Sequence, residues 1–417
     1  MSYPDNKTFY KRNILIFSII EFFSSVYFLI PIWVAFELRY ISFSQIALLE
    51  IIIFASQIIL ELPTGAFADL LGKKPTIFLG MLITGSSYIA FGLSSSFNHL
   101  LFSAILTGIG ASLTSGAREA MIFDTLKQVG KEDDFDKVSS KLSVIFQIGM
   151  SAATLIGGYM SLIYFRLPPI ATGVGMIIGS IFVLYLFEPK IDSEKFSLRN
   201  YIKQTKIGFM ELFKTKYSTL ISIFYGLVGG VTFSIQIVFT KLIMTELRFS
   251  DTENGIIFSA IRIINGLLLF YLVNKTKVLD RRKSLFLFAI LIPISLLPGF
   301  LFSKMIVVPF VLLMMLLSAA RWSLLGKYTN KVFSSKNRAT AISALSMLTG
   351  AVYIGVMASS GPILEHFNGS KMFFTIVGVF CLITIMPLGI YLSKMNTPKI
   401  KSSNNSSAQI PLETPAI

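Results

Sequence analysis

Cysteine, histidine and tryptophan are almost absent from this sequence, which has one Cys, two His and two Trp among 417 residues. The single cysteine, Cys381, cannot build a disulfide framework or a thiolate metal site by itself. The sequence also contains no nucleotide-binding glycine loop, no metal-ligand cluster and no His-Asp pair within an apolar segment. We therefore expect no cofactor and no bound metal, and a membrane-embedded enzyme is the least favoured interpretation.

Charged residues are also scarce, at 14% of the chain, whereas hydrophobic residues make up 53% and the mean hydropathy is +0.71. This balance excludes an ordinary soluble domain. A formal net charge of +15 is compatible with a nucleic-acid partner, but the basic residues lie in short loops between apolar runs. Positively charged loops on the cytoplasmic side of a membrane protein explain both features. We therefore expect the lipid bilayer, and no nucleic acid, as a partner.

Twelve apolar segments of about 20 residues, the length that crosses the hydrocarbon core, predict an all-helical membrane protein with twelve transmembrane helices. They cover residues 13–36, 44–68, 75–95, 99–122, 140–163, 169–187, 218–244, 252–273, 284–303, 305–326, 338–362 and 372–393. With Lys141, Lys241 and Arg338, which lie near the ends of spans, counted with the adjoining loops, 28 of the 37 Lys and Arg residues lie on the side of the N-terminus and six lie on the other side. The remaining three, Arg118, Arg262 and Arg321, fall inside spans. This asymmetry predicts that both termini are cytoplasmic. The polar N-terminus, residues 1–12, lacks a signal-peptide cleavage pattern, so we expect the first span to be retained.

The spans divide into two six-helix bundles, residues 13–188 and 218–393, joined by a basic linker over residues 189–217. Residues 200–213 of the linker are predicted either as an amphipathic helix on anionic headgroups or as a solvated connection. The tail, residues 394–417, is rich in Ser, Asn and Pro and is predicted to be disordered.

A glycine-bracketed basic loop follows the second span and runs Gly65-Ala-Phe-Ala-Asp69-Leu-Leu-Gly72-Lys73-Lys74. Gly65 permits close approach of two helices, and Gly72 can adopt the left-handed conformation that ends a helix. Asp69 is unfavourably placed, because a carboxylate near a helix C-terminus faces the negative end of the helix dipole. It therefore needs a nearby cation or the N-terminus of another helix.

This G-x-x-x-D-x-x-G-K-K pattern between the second and third spans resembles the signature loop of the major facilitator superfamily of secondary transporters, and the chain looks like the bacterial efflux-type permeases of that family. The resemblance implies two six-helix bundles around a central cavity, alternating access, a small-molecule substrate and a monomer. It also implies an inner gate, in which Asp69 contacts the N-terminus of the eleventh span (residues 334–338) and the loop lysine joins an acid on the fourth span. The residues assigned to the loop and gate are Gly65, Asp69, Gly72, Lys73, Lys74, Arg118 and Asp124. A purely structural surface network is the alternative interpretation.

The eighth and ninth spans are joined by a related loop, Asp280-Arg281-Arg282-Lys283. It looks like a degenerate copy of Asp69-Leu-Leu-Gly-Lys-Lys that has lost the glycine. Two related halves are typical of transporters with parallel repeats.

Ionisable residues within spans are costly and usually face a cavity or a partner. Glu50, Gln57 and Glu61 recur on one face of the second span, which predicts a polar stripe that lines water or protein. Glu61 and Glu21 are predicted at similar depth, where burial favours the protonated carboxyl, so both are candidates for coupling to protons. The alternative is a glutamate permanently paired with a cation such as Arg118.

Further cavity-lining candidates are Gln147 and the polar residues of the second half. Arg262 and Asn265 share a helix face near mid-membrane, where transporters of this kind bind substrate. Arg321 is predicted closer to the cytoplasm, either lining the cavity or snorkelling to the surface.

We expect a secondary transporter that exports a small amphipathic compound in exchange for protons. The high content of Phe and Met, 38 and 16 residues, suits adaptable apolar binding. The alternatives are an uptake carrier for an anionic metabolite bound at Arg262, and a non-transporting sensor or scaffold.

Overall fold

The computed structural model describes residues 5–190, 198–274, 280–330, 332–334 and 337–395. The predicted tail therefore lies almost entirely outside the described residues. Of Glu61, Gly65 and Asp69 only the backbone is described, as part of a helix. No β-strand occurs in the described ranges.

The first half contains seven α-helices, of which the second is a short continuation of the first span. They are α1 (Asn6–Ser24), α2 (Trp33–Glu37), α3 (Phe43–Leu71), α4 (Lys73–Leu93), α5 (Phe97–Gln128), α6 (Phe135–Ile163) and α7 (Leu167–Val183). A 3₁₀ turn over Glu132–Asp134 precedes α6.

The part of the chain after α7 begins with the amphipathic helix α8 and continues with the second half, whose spans are broken in several places. Its helices are α8 (Leu198–Leu212), α9 (Lys216–Ser234), α10 (Thr240–Glu246), α11 (Asp251–Asn274), α12 (Arg281–Leu296), α13 (Val307–Ala320), α14 (Gly326–Asn330), α15 (Arg338–His366), α16 (Ser370–Ile383) and α17 (Ile385–Lys394). Two π-helical segments, Ile235–Phe239 and Arg321–Leu325, interrupt the seventh and tenth spans, and a 3₁₀ segment, Leu297–Leu301, ends the ninth.

The predicted all-helical fold is confirmed, with local differences in the spans. Ten helices in the described ranges are long and apolar enough to cross a membrane, and α7 is a shorter apolar helix that corresponds to the sixth span. The first span is interrupted rather than continuous. Ser25 donates a hydrogen bond back to the Phe22 carbonyl (2.6 Å), and Pro31 has no N–H with which to continue a helix. Turns therefore separate α1 from α2, which carries Trp33 and Glu37 to the central cavity.

The two halves meet most closely at the end opposite the described termini, where α4, α6 and α15 finish; we call this the far end. A Cβ atom on Gly158 would stand 2.6 Å from the Asp251 carbonyl oxygen and 3.1 Å from Gly255 Cα. A Cβ atom on Gly361 would stand 2.5 Å from the Ser44 hydroxyl oxygen. Glycine therefore allows α6 to touch α11 and α15 to touch α3 with almost no intervening side chain.

The halves are separated at the other end, where α1 begins and α17 finishes; we call this the termini end. A cavity of about 400 Å³ opens there between α3, α5 and α15. It is lined by Phe54, Gln57, Ile58, Ala111, Ser112, Ser115, Ser343, Ser346 and Met347. Gly116 on α5 has no atom within 4 Å of the position that a Cβ would take. The described conformation is thus closed at the far end and open at the termini end.

The far-end contact predicts a disulfide between Ser44→Cys and Gly361→Cys in a Cys381→Ser background. A Cβ built on Gly361 lies 3.0 Å from Ser44 Cβ, close to the roughly 3.5–4.5 Å that disulfides span. We expect mild oxidation to crosslink this pair, as measured by mass spectrometry of the digested protein. Ser44→Cys with Gly266→Cys is the matched control, because Gly266 has no neighbour within 4 Å. Crosslinking of the control but not of the test pair would contradict the described closure.

Candidate functional site

A central cavity of about 340 Å³ lies between the two halves. Most of its wall is apolar or aromatic, including Tyr27, Trp33, Tyr88, Phe91 and Phe146. Such a wall suits a ligand with an apolar body, and the volume is within the range of small-molecule sites.

Four charged side chains line the same cavity and are divided between the halves. Glu37 of α2 and Glu50 of α3 form an acidic pair, contributed by the first half. Lys241 of α10 and Arg262 of α11 form a basic pair, contributed by the second half. Glu50 attracts Lys241, which has the opposite charge, and Lys241 is repelled by Arg262, which has the same charge. The charges therefore form a continuous series across the interface.

Glu50 and Tyr353 make a direct hydrogen bond between the halves. The Tyr353 hydroxyl of α15 donates to Glu50 Oε2 at 2.8 Å. The Tyr353 ring also contacts the rings of Phe54 and Phe233, with centroids 5.1 and 5.3 Å away. Gly350 makes room for Phe54. Because Glu50 lines the central cavity and Phe54 lines the termini-end cavity, this cluster stands between the two.

Lys241 is held by the irregular backbone of its own span. Its ammonium donates to the carbonyl of Gln236, which belongs to the π-helical segment Ile235–Phe239. A π-helical turn shifts the regular backbone pairing and is common at functional sites. The ammonium also lies 5.5 Å from the Phe258 ring centroid.

The predicted cavity candidates have different locations. Glu50 and Arg262 line the central cavity, and Gln57 lines the termini-end cavity. Asn265 is buried but does not belong to either wall. Gln147 is exposed, although its neighbour Phe146 lines the central cavity.

Arg321 does not snorkel to the surface, so that expectation is wrong. Its side chain is buried at 2% exposure and lies over the Tyr225 ring, 5.5 Å from the centroid. A Cβ on Gly229 would come within 2.0 Å of an Arg321 guanidinium nitrogen. The glycine therefore makes space for the arginine inside the second bundle, away from the central cavity wall.

Sequence reasoning missed Glu37 and Lys241. Lys241 is counted above with the basic residues of the outer side, whereas it lies inside a helical span that continues to Glu246. The apolar residues that follow it, Leu242 to Met244, are the signal that it belongs to the span. Glu37 carries no comparable signal, because its position depends on the interruption before α2.

Of the two proton-coupling candidates, Glu21 is paired with a cation. Its carboxylate lies 2.8 Å from an Arg118 guanidinium nitrogen and is 5% exposed. This pair matches the structural alternative considered for the glutamates. The side chain of Glu61 lies outside the described residues.

The signature loop is built around a glycine and two carboxylates. Gly72, with φ of +96°, ends α3 in a conformation that side chains rarely adopt. The Glu188 carboxylate accepts hydrogen bonds from the backbone amides of Lys73 (2.7 Å) and Lys74 (2.9 Å), which satisfies the N-terminus of α4. The Lys73 ammonium pairs with Asp124 of α5. The predicted contact between the loop lysine and an acid on the fourth span therefore forms.

The N-terminus of the eleventh span has a partner that the sequence did not indicate. Glu211 of α8 accepts hydrogen bonds from the Ser334 amide (2.9 Å) and the Asn337 side chain (3.4 Å). On the next turn towards the start of α8, Gly208 packs against α15, where an added Cβ would meet the Thr340 carbonyl at 2.4 Å. The linker segment is thus a helix docked on α15, and the predicted Asp69 contact lies outside the described side chains.

The related loop of the second half matches the first in position but not in chemistry. Asp280 caps α12 by accepting a hydrogen bond from the Lys283 amide (2.8 Å). Asp280 therefore occupies the position of Gly72, one residue before the helix, rather than that of Asp69. Arg281, which occupies the position of Lys73, donates to the carbonyls of Leu392 (3.2 Å) and Met395 (2.6 Å) at the end of α17.

Comparisons with known proteins give a consistent family. The sequence model of the Major Facilitator Superfamily matches residues 14–308 and 223–414. Multidrug resistance protein 2 of Bacillus subtilis is 28% identical over 273 residues, which cover 63% of this chain and 66% of that protein. The quinolone resistance protein NorA of Staphylococcus aureus is 26% identical over 40% of each chain. These matches span less than two thirds of either drug-resistance relative.

Solved structures with the same fold cover almost the whole chain at low sequence identity. The nucleoside transporter NupG has a TM-score of 0.71 at 14% identity, covering 93% of this chain and 100% of that one. A bacterial homologue of the lysosomal transporter Spinster, crystallised in an inward-facing conformation, has a TM-score of 0.69 at 16% identity, covering 94% and 98%. At these identities the likeness establishes the fold alone.

Docking of α8 is predicted to depend on the ionised form of Glu211. Burial favours the protonated carboxyl, but the hydrogen bonds from Ser334 and Asn337 outweigh it and lower the pKa of Glu211 below its usual 4.5. A lowered pKa means that this stabilisation is present above pH 4.5 and is lost as the pH falls through the lowered value. A nitroxide on the exposed Met210→Cys, in a Cys381→Ser background, should become more mobile below about pH 4.5.

The matched variant for this test is Glu211→Gln, which removes the charge while keeping the shape. We expect high nitroxide mobility at pH 7 and little further change on acidification. If nitroxide mobility changed with pH equally with Glu211 in place and in the Glu211→Gln variant, that result would contradict the role of Glu211 in docking α8.

Proposed function

This chain belongs to the Major Facilitator Superfamily and is a transporter rather than an enzyme, and from that premise we propose that it exports small amphipathic compounds in exchange for protons. The observation that carries the proposal is the central cavity, in which an aromatic wall is combined with charged groups from both halves. A cavity built from both halves is where alternating access requires the cargo to bind.

Export is favoured by the named functions of two sequence relatives. One sequence relative is a multidrug resistance protein and another is a quinolone resistance protein. Drug resistance fits a transporter that lowers the internal concentration of foreign compounds. We therefore propose the bacterial plasma membrane as its location.

The termini end is proposed to face the cytoplasm, since most of the basic residues belong to loops at that end. The conformation described above is then open at the cytoplasmic end, with the cluster of Glu50, Tyr353 and Phe54 between that opening and the central cavity. The inner gate would close this end in the opposite state. The Lys73–Asp124 and Arg118–Glu21 pairs lie within the first half, so they would hold its inner end in shape. Gly65 and Asp69 would adjust the contact with the second half.

Glu50 is the proposed link between protons and conformation. As a carboxylate it accepts the Tyr353 hydrogen bond that joins the halves, and hydrogen bonds to charged groups are the stronger ones. A proton on Glu50 would neutralise that acceptor and weaken the bond, which favours opening of the far end. Once the far end is open to the outside, a proton that binds Glu50 would prevent this bond from re-forming while the cargo leaves. Loss of that proton to the cytoplasm, after the termini end has opened, would restore the bond. Glu21 and Glu61 remain candidates for further proton binding.

Cargo accumulation in an efflux-deficient bacterium tests this proposal. The panel combines cationic dyes, neutral antibiotics and anionic metabolites, with and without a protonophore. We expect the protein to lower accumulation of amphipathic compounds, and the protonophore to abolish the effect. Glu50→Gln should raise accumulation to the level of cells without the protein, because the residue can no longer exchange a proton.

The controls separate coupling from expression and from uptake. Glu132→Gln, on an exposed turn, should behave as the unmodified protein. Glu61→Gln reports whether that residue also couples protons. Raised accumulation of an anion that Arg262→Ala abolishes would contradict export and favour the uptake carrier.

A further inference from the structure

Building on the proposed transport function, we propose that the cargo is a zwitterion whose cationic group binds Glu37 and whose anionic group binds Arg262. The two charges would be joined by an apolar body that lies against the aromatic wall. This names a chemical class and two specificity-determining residues for the central cavity.

The first argument is the separation of charge between the walls. Both acids come from α2 and α3, and both bases come from α10 and α11. The acidic pair therefore faces the basic pair across the interface of the halves. A ligand with one positive and one negative end matches this arrangement and would touch both halves at once.

The second argument is that only part of the charged set is engaged within the protein. Glu50 accepts from Tyr353, and Lys241 donates to the Gln236 carbonyl. By contrast, within the described part of the chain Glu37 Oε2 and Arg262 Nε are buried and have no hydrogen-bond partner. Glu37 is only 4% exposed, so an unmade hydrogen bond there is costly.

These two orphaned atoms are complementary to a zwitterion. A carboxylate oxygen can only accept, so its partner must be a donor such as an ammonium group. A guanidinium nitrogen can only donate, so its partner must be an acceptor such as a carboxylate. A simple cation would leave Arg262 unsatisfied, and a simple anion would leave Glu37 unsatisfied beside Glu50.

The apolar body of the cargo has a corresponding surface. Trp33, Tyr27 and Tyr88 line the same cavity as these charged groups, and the Tyr27 and Tyr88 rings contact each other edge to face at 5.6 Å. A volume of about 340 Å³ leaves room for a small ring system rather than a long chain.

Four probes with one scaffold test the inference: an aromatic amino acid amphiphile, its methyl ester, its N-acetyl derivative and the doubly capped compound. They are zwitterionic, cationic, anionic and neutral, respectively. Binding to the purified full-length protein is measured by the fluorescence of Trp33 in a Trp322→Phe background. We expect the zwitterion to bind about tenfold or more tightly than each singly charged probe, which corresponds to about 1.4 kcal/mol.

Charge-removing variants assign the two ends. Glu37→Gln should weaken the zwitterion and the ester about tenfold while leaving the N-acetyl compound unchanged. Arg262→Gln should weaken the zwitterion and the N-acetyl compound about tenfold while leaving the ester unchanged. The variants Glu37→Asp and Arg262→Lys, which keep the charge, should retain part of the affinity. Glu253→Gln, which breaks an exposed ion pair with Lys304, is the control and should change none of the four.

The outcomes distinguish this inference from the proposed function. Equal affinity for the zwitterion and the ester, unaffected by Arg262→Gln, would overturn the zwitterion assignment, whereas export of cationic compounds in cells would stand. Zwitterion binding that responds to both variants, without export in cells, would support the site and overturn the function.

Discussion

The hydrogen bond from Tyr353 to Glu50 is the interaction on which the described conformation depends most directly, because it joins the two halves beside the central cavity. It can form only because the helices approach closely. At the far end Gly158 lies against Gly255, and Gly361 lies against Ser44. These contacts remove side chains from the interface, and a single directional bond then fixes the register of α3 against α15. The same closure leaves the termini end open, and the cluster of Tyr353, Glu50 and Phe54 separates that opening from the central cavity.

Buried charge explains why such a transporter can respond to its ligands. Ionised groups inside a membrane protein are costly unless they are paired or reach water. Here Glu21 with Arg118 and Lys73 with Asp124 are satisfied within the first half, and they maintain its structure. Glu37 and Arg262 each keep an unsatisfied atom at the cavity wall. A cargo that satisfies them lowers the free energy of the loaded state, and a proton on Glu50 alters the bond that holds the halves together. The free energy of cargo binding, set by Glu37 and Arg262, and that of the conformational change, set by Glu50, therefore depend on groups in the same cavity.

Much of the fold could be predicted from sequence, because span length and apolarity are local properties. The turn at Gly72 could also be predicted from local sequence, because a glycine followed directly by Lys73 and Lys74 indicates the end of one helix and a basic start to the next. Glu50 and Arg262 stood out as charges inside apolar helices. The partners could not be predicted, because Glu50 with Tyr353 and Glu211 with Ser334 are pairs set by tertiary packing across long separations. Glu37 was missed because its place at the cavity depends on the interruption after α1, where Ser25 donates a hydrogen bond to the Phe22 carbonyl. Lys241 was missed because the helix runs past it.

Reciprocal motion of the two ends is the central claim, and distances between paired spin labels measure it most directly. One pair would join Lys127 and Arg338 at the termini end, and the other Tyr164 and Phe367 at the far end, all on exposed positions. In the reconstituted protein, acidification or added cargo should shorten the distance at the termini end and lengthen the distance at the far end, and both changes should occur to the same extent. Distances that stay fixed, or that change in the same direction at both ends, would contradict alternating access by these halves.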